Sequence, residues 1–233
     1  MYAANRRANA MTRRERWIKF AIYFVILNTV LVLGGLGPKV FGCFALGLLA
    51  AGAVELSVVL AATPNSALSL QDATWRGPIS RGPVWSVYGL ASVGLLLFSF
   101  SASSEQITFV YLVVAVFDGF SQVSGQLLGK HRLAQTISPS KTVEGALGGC
   151  LAAMVTAVLF REFIHCSPSL ALGVCGVIVT AAAAGDLAAS WVKRRCGVKD
   201  FGRLLPQHGG ILDRFDSFLF AAPASLILLH LRR

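Results

Sequence analysis

Carboxylates, cations and a histidine are concentrated between residues 186 and 216, where two strongly apolar stretches of the chain flank them. The side chains of this segment that suggest chemistry are Asp186, Lys193, Arg194, Lys199, Asp200, His208, Asp213, Arg214 and Asp216. Charge at the edge of a bilayer is costly, and it commonly marks a functional site. Because carboxylates bind hard cations and lysine or arginine binds phosphate, this combination favours chemistry on a nucleotide at a membrane surface.

One helix face is predicted to carry four of the polar side chains. Ser190 follows Asp186 by four residues, and Lys193 and Arg194 follow it by seven and eight. Residues at this spacing lie above one another on an α-helix. The segment therefore predicts a polar stripe at the end of an apolar helix.

Three carboxylates are predicted to meet at one place. Asp213 and Asp216 are three residues apart, so they share a face of the next helix. If that helix packs against the one bearing Asp186, the carboxylates repel one another unless a cation lies between them. Asp186, Asp213 and Asp216 are therefore the expected ligands of Mg²⁺. The alternative is a set of ion pairs with the neighbouring cations Lys193, Arg194 and Arg214.

His208 precedes two glycines just before the last apolar stretch. Glycine lets backbone N–H groups approach a phosphate closely, and the start of a helix favours anions. Gly209 and Gly210 are therefore expected to bind phosphate. His208 either donates a hydrogen bond to a phosphate oxygen or only caps the loop.

A second polar segment, Ser138-Pro139-Ser140-Lys141-Thr142, precedes the fifth apolar stretch. Its hydroxyls and its lysine, next to a helix start, favour contact with phosphate. The alternative is an ordinary loop that ends in a helix cap. Asp118 and Glu55 lie inside apolar stretches, where a carboxylate needs a partner. We expect Asp118 to bind substrate, whereas the role of Glu55 is left open.

The composition is that of an integral membrane protein. The chain has 233 residues, of which 55% are hydrophobic and 14% charged, and its mean hydropathy is +0.66. Soluble domains carry about 25% charged residues. We therefore predict an all-α, polytopic protein with about seven transmembrane helices. The predicted spans are residues 18–36, 40–62, 84–100, 107–128, 143–160, 170–189 and 211–231.

Residues 1–16 are predicted to form a basic tail and residues 17–233 a single membrane domain, with the catalytic region at about 118–220. The first apolar stretch exceeds the length typical of a cleaved signal peptide, so it is interpreted as a span. A GxxxG pair, Gly145 and Gly149, predicts close helix packing. The five cysteines form no CxxC pair, which favours free thiols over a thiolate metal site.

The basic residues predict the orientation of the chain. Of the 21 lysines and arginines, 17 lie in the N-terminal tail, at Lys19 and Arg214, or in the loops at 63–83, 129–142 and 190–210. The positive-inside rule then places the N-terminus and these loops in the cytoplasm. The net charge of +10 suits anionic headgroups and phosphorylated substrates rather than nucleic acid, because the cations lie between apolar spans.

These residues carry a resemblance to a known family. The pattern Ser-x-x-Lys-Arg, Lys-Asp-x-Gly and Pro-x-His-Gly-Gly-x-x-Asp-Arg-x-Asp runs from residue 190 to residue 216. Here, and at residues 185–187 and 137–145, the chain resembles the phosphatidate cytidylyltransferases, also called CDP-diacylglycerol synthases. Two departures bear on the lipid acceptor. Ala189 stands where the family commonly has glutamate, and Asp118-Gly119-Phe120-Ser121-Gln122 replaces an Asp-x-x-Ala-Tyr pattern.

The resemblance implies cytidylyl transfer from CTP to phosphatidate, which gives CDP-diacylglycerol and pyrophosphate. The catalytic residues expected are Asp186, Asp213, Asp216, Lys193, Arg194, Lys199, Asp200, His208 and Arg214. The substrate-binding residues expected are Ser138, Lys141, Thr142, Ser190, Gly209, Gly210 and Asp118. Mg²⁺ is the expected cofactor, with a second cation beside Asp216 as a further option. The expected partners are CTP, phosphatidate or a related lipid phosphate, membrane lipids and a second copy of the chain in a homodimer.

The expected location is a bacterial inner membrane, with the active site facing the cytoplasm. Several alternatives stay open on the residues alone. Within membrane enzymes they are cytidylyl transfer to another lipid phosphate and CTP-dependent phosphorylation of a lipid alcohol. Outside them they are an anion transporter, although the sequence shows no paired halves, and an inactive relative that binds nucleotide or lipid.

Overall fold

The computed structural model describes residues 13–63, 80–202, 204 and 209–230. Seven α-helices lie within these residues: α1 Arg13–Gly35, α2 Pro38–Ala62, α3 Arg81–Ser101, α4 Ser104–Leu128, α5 Val143–Leu159, α6 Pro168–Arg195 and α7 Leu212–His230. A 3-10 turn, Arg161–Ile164, connects α5 to α6. Of the predicted basic tail, residues 1–12 lie outside the described part of the chain.

Each predicted span coincides with one of these helices, and the all-α membrane fold is confirmed. Within the described residues, α2, α3, α4 and α6 are long and apolar enough to cross a membrane, and α5 and Ala21–Gly35 are shorter apolar helices. The count of seven crossings stays a prediction.

The largest difference from the predicted bounds lies at the end of α6. This helix continues to Arg195, six residues beyond the predicted span. Cations interact favourably with the C-terminal end of a helix, so the loss of hydropathy at Lys193 ends the apolar stretch but not the helix. Ser190, Lys193 and Arg194 therefore lie on a rigid element.

A short β-hairpin was not predicted. Its strands, β1 Arg132–Ala134 and β2 Ser138–Thr142, pair antiparallel, with Arg132 opposite Thr142 and Ala134 opposite Ser138. The strands have no alternation of apolar and polar residues and β2 contains a proline, so the usual strand signals are missing. The hairpin lies between α4 and α5 and leads directly into α5.

The ring of Phe218 on α7 is the centre of the helix packing. It makes edge contacts with Phe41 of α2, Phe98 of α3 and Tyr111 of α4, at ring-centroid distances of 6.1, 6.4 and 5.5 Å. Phe218 is 3% exposed. Edge-to-face pairs are favourable beyond the area that they bury, so this ring fixes α7 against three other helices.

Small residues let α4 and α5 approach closely, which confirms the predicted packing role of the GxxxG pair. A Cβ atom at Gly149 would lie 2.6 Å from the Phe117 carbonyl oxygen and would also collide with Ser121 Oγ. A Cβ atom at Gly145 would lie 2.7 Å from the Ser121 carbonyl oxygen. Helix association in a membrane depends on this kind of close contact, because lipid tails are as apolar as the side chains.

We predict that Gly149→Ala lowers the stability of the protein in detergent by about 1–3 kcal/mol, because the added methyl group overpacks the α4–α5 contact. The measurement is the thermal midpoint of the purified protein. Gly176→Ala is the matched control, since a Cβ atom on that α6 glycine meets nothing within 4 Å. Equal midpoints for the two variants would contradict the packing role.

Candidate active site

A cavity of about 510 Å³ lies between α1, α4, α6, α7 and the hairpin. It contains most of the residues that the sequence singled out. The predicted site residues that line it are Asp118, Ser138, Lys141, Thr142, Asp186, Lys193, Asp213, Arg214 and Asp216. Carboxylates and cations from α4, the hairpin, α6 and α7 therefore converge, as a phosphate-transfer site requires.

Three of the carboxylates lie close enough to repel one another. A Cβ atom at Gly185 would lie 2.7 Å from the Asp216 carbonyl oxygen, so α6 and α7 touch beside Asp186. Asp118 of α4 faces the same space, and the charges of Asp118, Asp186 and Asp216 interact. The predicted convergence of carboxylates is therefore present, with Asp118 as a member that the metal prediction did not include.

Lys141 connects the hairpin to this cluster. Its ammonium group pairs with Asp186 Oδ2, and both side chains are about one quarter exposed, at 26% and 28%. Ser190 lies one turn along α6 from Asp186, and its hydroxyl is 3.5 Å from Asp186 Oδ1. The predicted face of α6 is thus formed, with Ser190 beside the cavity lining rather than in it.

Asp213 makes contacts of a different kind from the other carboxylates. Its Oδ1 accepts a hydrogen bond from Lys193 Nζ at 2.7 Å. Its Oδ2 accepts from the backbone N–H groups of Phe201 and Gly210, at 2.8 and 2.9 Å. The Asp213 side chain is 1% exposed. Both of its oxygens are engaged by the protein, so Asp213 joins α6, α7 and the connecting loop.

Glu144, in the first turn of α5, holds the base of the hairpin. Its carboxylate accepts hydrogen bonds from the backbone N–H groups of Lys130 and His131 at 3.0 and 3.2 Å, and Oε1 lies 2.6 Å from His131 Nδ1. Thr142 caps α5, because its hydroxyl accepts from the Gly145 N–H at 3.1 Å. The sequence placed Glu144 within a motif but assigned it no role.

Arg194 holds the other end of the hairpin. Its Nε donates to the Ile137 carbonyl oxygen at 3.3 Å, and a terminal nitrogen donates to the Val198 carbonyl oxygen at 3.4 Å. Arg194 is exposed and does not line the cavity. In this structure its contacts fix the turn of the hairpin on the end of α6, and a direct role in catalysis stays a prediction.

Several predicted residues lie outside the cavity lining. Lys199 and Asp200 are exposed in the loop after α6. Gly210 donates its N–H to Asp213, and Gly209 has a φ of 82°, a conformation that favours glycine. The roles predicted for these four residues stay predictions. His208 lies outside the described residues.

Two groups of site residues were missed by the sequence. Tyr23 and Tyr111 line the cavity from α1 and α4, and no charge or motif distinguished them from ordinary apolar packing. Ser121 and Gln122 also line it. Ser121 Oγ is buried against Gly149 of α5 and has no hydrogen-bond partner in the described part of the chain.

The carboxylates of the cavity suit Mg²⁺ when substrate phosphates and water complete its coordination. Among the described residues, no group of three or more histidine, cysteine, aspartate or glutamate side chains is placed to hold a metal ion by itself. Mg²⁺, however, is usually held by one or two carboxylates together with substrate phosphates and water. Asp186 and Asp216 fit that arrangement. Asp213 fits it less well, because Lys193 and two N–H groups occupy its oxygens.

Comparison with known proteins now identifies the family. The model of the cytidylyltransferase family matches residues 4–232. The chain belongs to the cytidylyltransferase family. The resemblance drawn from the motifs is thereby confirmed.

Phosphatidate cytidylyltransferases are among the curated relatives of this cytidylyltransferase family member. Those of Staphylococcus epidermidis and Staphylococcus saprophyticus are each 42% identical to it over 146 residues, and that of Staphylococcus aureus strain COL is 40% identical over 146 residues. Each match covers 60% of this chain and 56% of the relative. The chain therefore spans little more than half the length of these relatives.

We predict that Lys193→Met destabilises this cytidylyltransferase family member by about 3 kcal/mol, because Asp213 is then buried without its counter-ion. The measurement is the thermal midpoint in detergent without ligand. The control is Lys199→Met, which removes an exposed lysine from the same region. The double variant Lys193→Met/Asp213→Asn should recover part of the loss. Equal midpoints for Lys193→Met and Lys199→Met would contradict a stabilising ion pair.

Proposed function

We propose that this protein transfers the cytidylyl group of CTP to phosphatidate and releases pyrophosphate. The observation that carries the proposal is the meeting of Asp118, Asp186 and Asp216 with the cations Lys141, Lys193 and Arg214 in one cavity. Carboxylates with adjacent cations suit a triphosphate and a lipid phosphate. Membership of the cytidylyltransferase family, and relatives named phosphatidate cytidylyltransferase, support the same reaction.

In the proposed reaction, a phosphate oxygen of phosphatidate attacks the α-phosphorus of CTP. A bond forms between that oxygen and the α-phosphorus, and the bond from the α-phosphorus to the oxygen that bridges it to the β-phosphorus breaks. Pyrophosphate leaves with the electron pair. Because the attacking oxygen is already an anion, the protein needs no base, and catalysis consists of positioning and charge neutralisation.

The cations of the cavity neutralise the phosphates. Lys141 lies on the hairpin and is paired with Asp186 in the structure, so it can exchange this carboxylate for a phosphate oxygen. Arg214 is exposed at the cavity edge on the first turn of α7. Lys193 remains with Asp213, which places a positive charge beside the carboxylates. Ser138 and Ser140 of the hairpin line the same wall.

Mg²⁺ is proposed as the cofactor, and Asp186 and Asp216 are the residues that would hold it. When bound, it would offset charge on the phosphates of CTP. The mutual repulsion of Asp118, Asp186 and Asp216 favours a cation at this place. Participation of Asp213 and the presence of a second cation stay predictions from the sequence.

The two substrates are proposed to reach the cavity from different sides. Tyr23, Ile26 and Val114 give the cavity an apolar wall between α1 and α4, which suits the lipid. CTP would enter from the cytoplasm, where the basic loops are predicted to lie. An inner-membrane location and a homodimeric assembly are also part of the proposal.

We predict lipid-dependent release of pyrophosphate from CTP by the purified protein with Mg²⁺, together with a CDP-lipid product. Asp186→Asn should lower kcat by about 100-fold or more, because it removes charge at the reacting phosphates. Glu162→Gln is the control, since Glu162 is an exposed carboxylate in the turn between α5 and α6. Activity of Asp186→Asn close to that of Glu162→Gln would contradict the assignment.

An assay with competing acceptors tests which lipid receives the cytidylyl group. Phosphatidate, another lipid phosphate and a lipid alcohol are supplied in parallel, and both products are identified. Pyrophosphate release with another lipid phosphate alone would change the acceptor but keep the reaction. Release of CDP with a lipid alcohol would instead show phosphorylation. A folded protein that binds CTP without turnover of any acceptor would contradict the proposed activity.

A further inference from the structure

We propose that Glu55 of α2 is a positioning residue for the active site, which holds the start of α7 and thereby places Asp213, Arg214 and Asp216. Glu55 belongs to none of the motifs that run from residue 118 to residue 216. Its effect on catalysis rests on the proposed function, whereas its effect on the start of α7 does not.

Glu55 binds the first N–H groups of α7 with both carboxylate oxygens. Oε1 accepts from the Ile211 N–H and Oε2 accepts from the Leu212 N–H, each at 2.9 Å. These groups have no partner within the helix, and a buried helix start needs an acceptor for them. Glu55 is 6% exposed and stands 156 residues from Ile211 in the chain. It therefore caps α7 from a different helix.

Two glycines of the loop before α7 lie against this carboxylate. A Cβ atom at Gly202 would lie 2.5 Å from Glu55 Oε1, and one at Gly210 would lie 2.6 Å from the same oxygen. A Cβ atom at either position would therefore displace the Glu55 carboxylate or the loop, and would disturb the hydrogen bonds between them. The structure thus gives Gly210 a packing reason that does not involve substrate.

Glu55 and Asp213 act on the same short segment. Asp213 accepts from the N–H groups of Phe201 and Gly210, and Glu55 accepts from those of the next two residues, Ile211 and Leu212. The segment is therefore held from both sides. Since Asp213 also pairs with Lys193, a displacement at Glu55 is transmitted to the charges that line the cavity.

This contact also changes where phosphate can bind. The start of a helix attracts anions, and the sequence predicted a phosphate at the glycine pair before α7. The N–H groups of Gly210, Ile211 and Leu212 are taken by protein carboxylates. Glu55 thus occupies the anion position at α7, which leaves the substrate phosphates to the side of the cavity that carries Lys141 and Arg214.

The test compares Glu55→Gln, Glu55→Ala and Ser103→Ala in the full chain. Glutamine has the size of glutamate but accepts with one oxygen only, so it keeps part of the contact if Glu55→Ala fails to fold. Ser103→Ala is the matched control. Ser103 caps α4, where its hydroxyl accepts from the Gln106 N–H at 3.3 Å, and it does not line the cavity.

The first measurement is hydrogen–deuterium exchange of peptides that cover residues 201–214. We expect faster exchange in both Glu55 variants and unchanged exchange in Ser103→Ala. The second is pyrophosphate release per folded protein. We expect kcat to fall by about 10- to 100-fold in Glu55→Ala and less in Glu55→Gln, as for residues that orient a site. The KM for CTP should stay within about threefold, because Glu55 touches no substrate.

Each outcome decides one claim. Unchanged exchange in the Glu55 variants overturns the cap on α7. Faster exchange with wild-type kcat overturns the positioning role and leaves a contact that serves stability alone. If the wild-type chain has no turnover, the proposed function fails. Exchange then still decides whether Glu55 holds the start of α7.

Discussion

The ion pair between Lys193 and Asp213 joins the last turn of α6 to the first turn of α7, and the geometry of the site depends on it. A buried carboxylate is stable only where cations or N–H groups surround it. Asp213 meets this condition with Lys193 and two backbone N–H groups, which come from the loop that connects the two helices. The need to satisfy one buried charge thus sets the approach of two helices and the path of the loop between them.

The carboxylates of the site divide into two kinds by their partners. Glu55 and Asp213 are bound on both oxygens by groups of the protein, and they hold backbone in place. Asp118, Asp186 and Asp216 face a shared cavity and repel one another. Glu55 and Asp213 hold the start of α7 in place, and α7 carries Asp216. Asp216 therefore stays close to Asp118 and Asp186 although the three charges repel one another. Sequence spacing does not distinguish these kinds, since Asp213 and Asp216 occupy one motif and one helix face.

The hairpin between α4 and α5 adds the remaining cation. Lys141 lies on a strand whose base is held by Glu144 and whose turn is held by Arg194. Two residues that read as candidates for phosphate contact, Thr142 and Arg194, make contacts to the backbone in the structure. A flexible loop would lose conformational entropy when it bound substrate, which would weaken binding. The hairpin is already ordered in the folded protein, so this entropy is lost on folding rather than on binding.

The sequence by itself determined the membrane class, the positions of seven apolar helices and the charged residues that line the cavity. It could do so because hydropathy and helical spacing are local properties, and because the charged motifs stand out against an apolar chain. Only the tertiary structure decided the hairpin, the inclusion of Asp118 in the carboxylate cluster, the full engagement of Asp213 and the contact of Glu55 with α7. These features depend on contacts between residues far apart in the chain. A polar group inside the protein needs a hydrogen-bonding or charged partner, but the spacing of residues along the sequence does not show which residue that partner is.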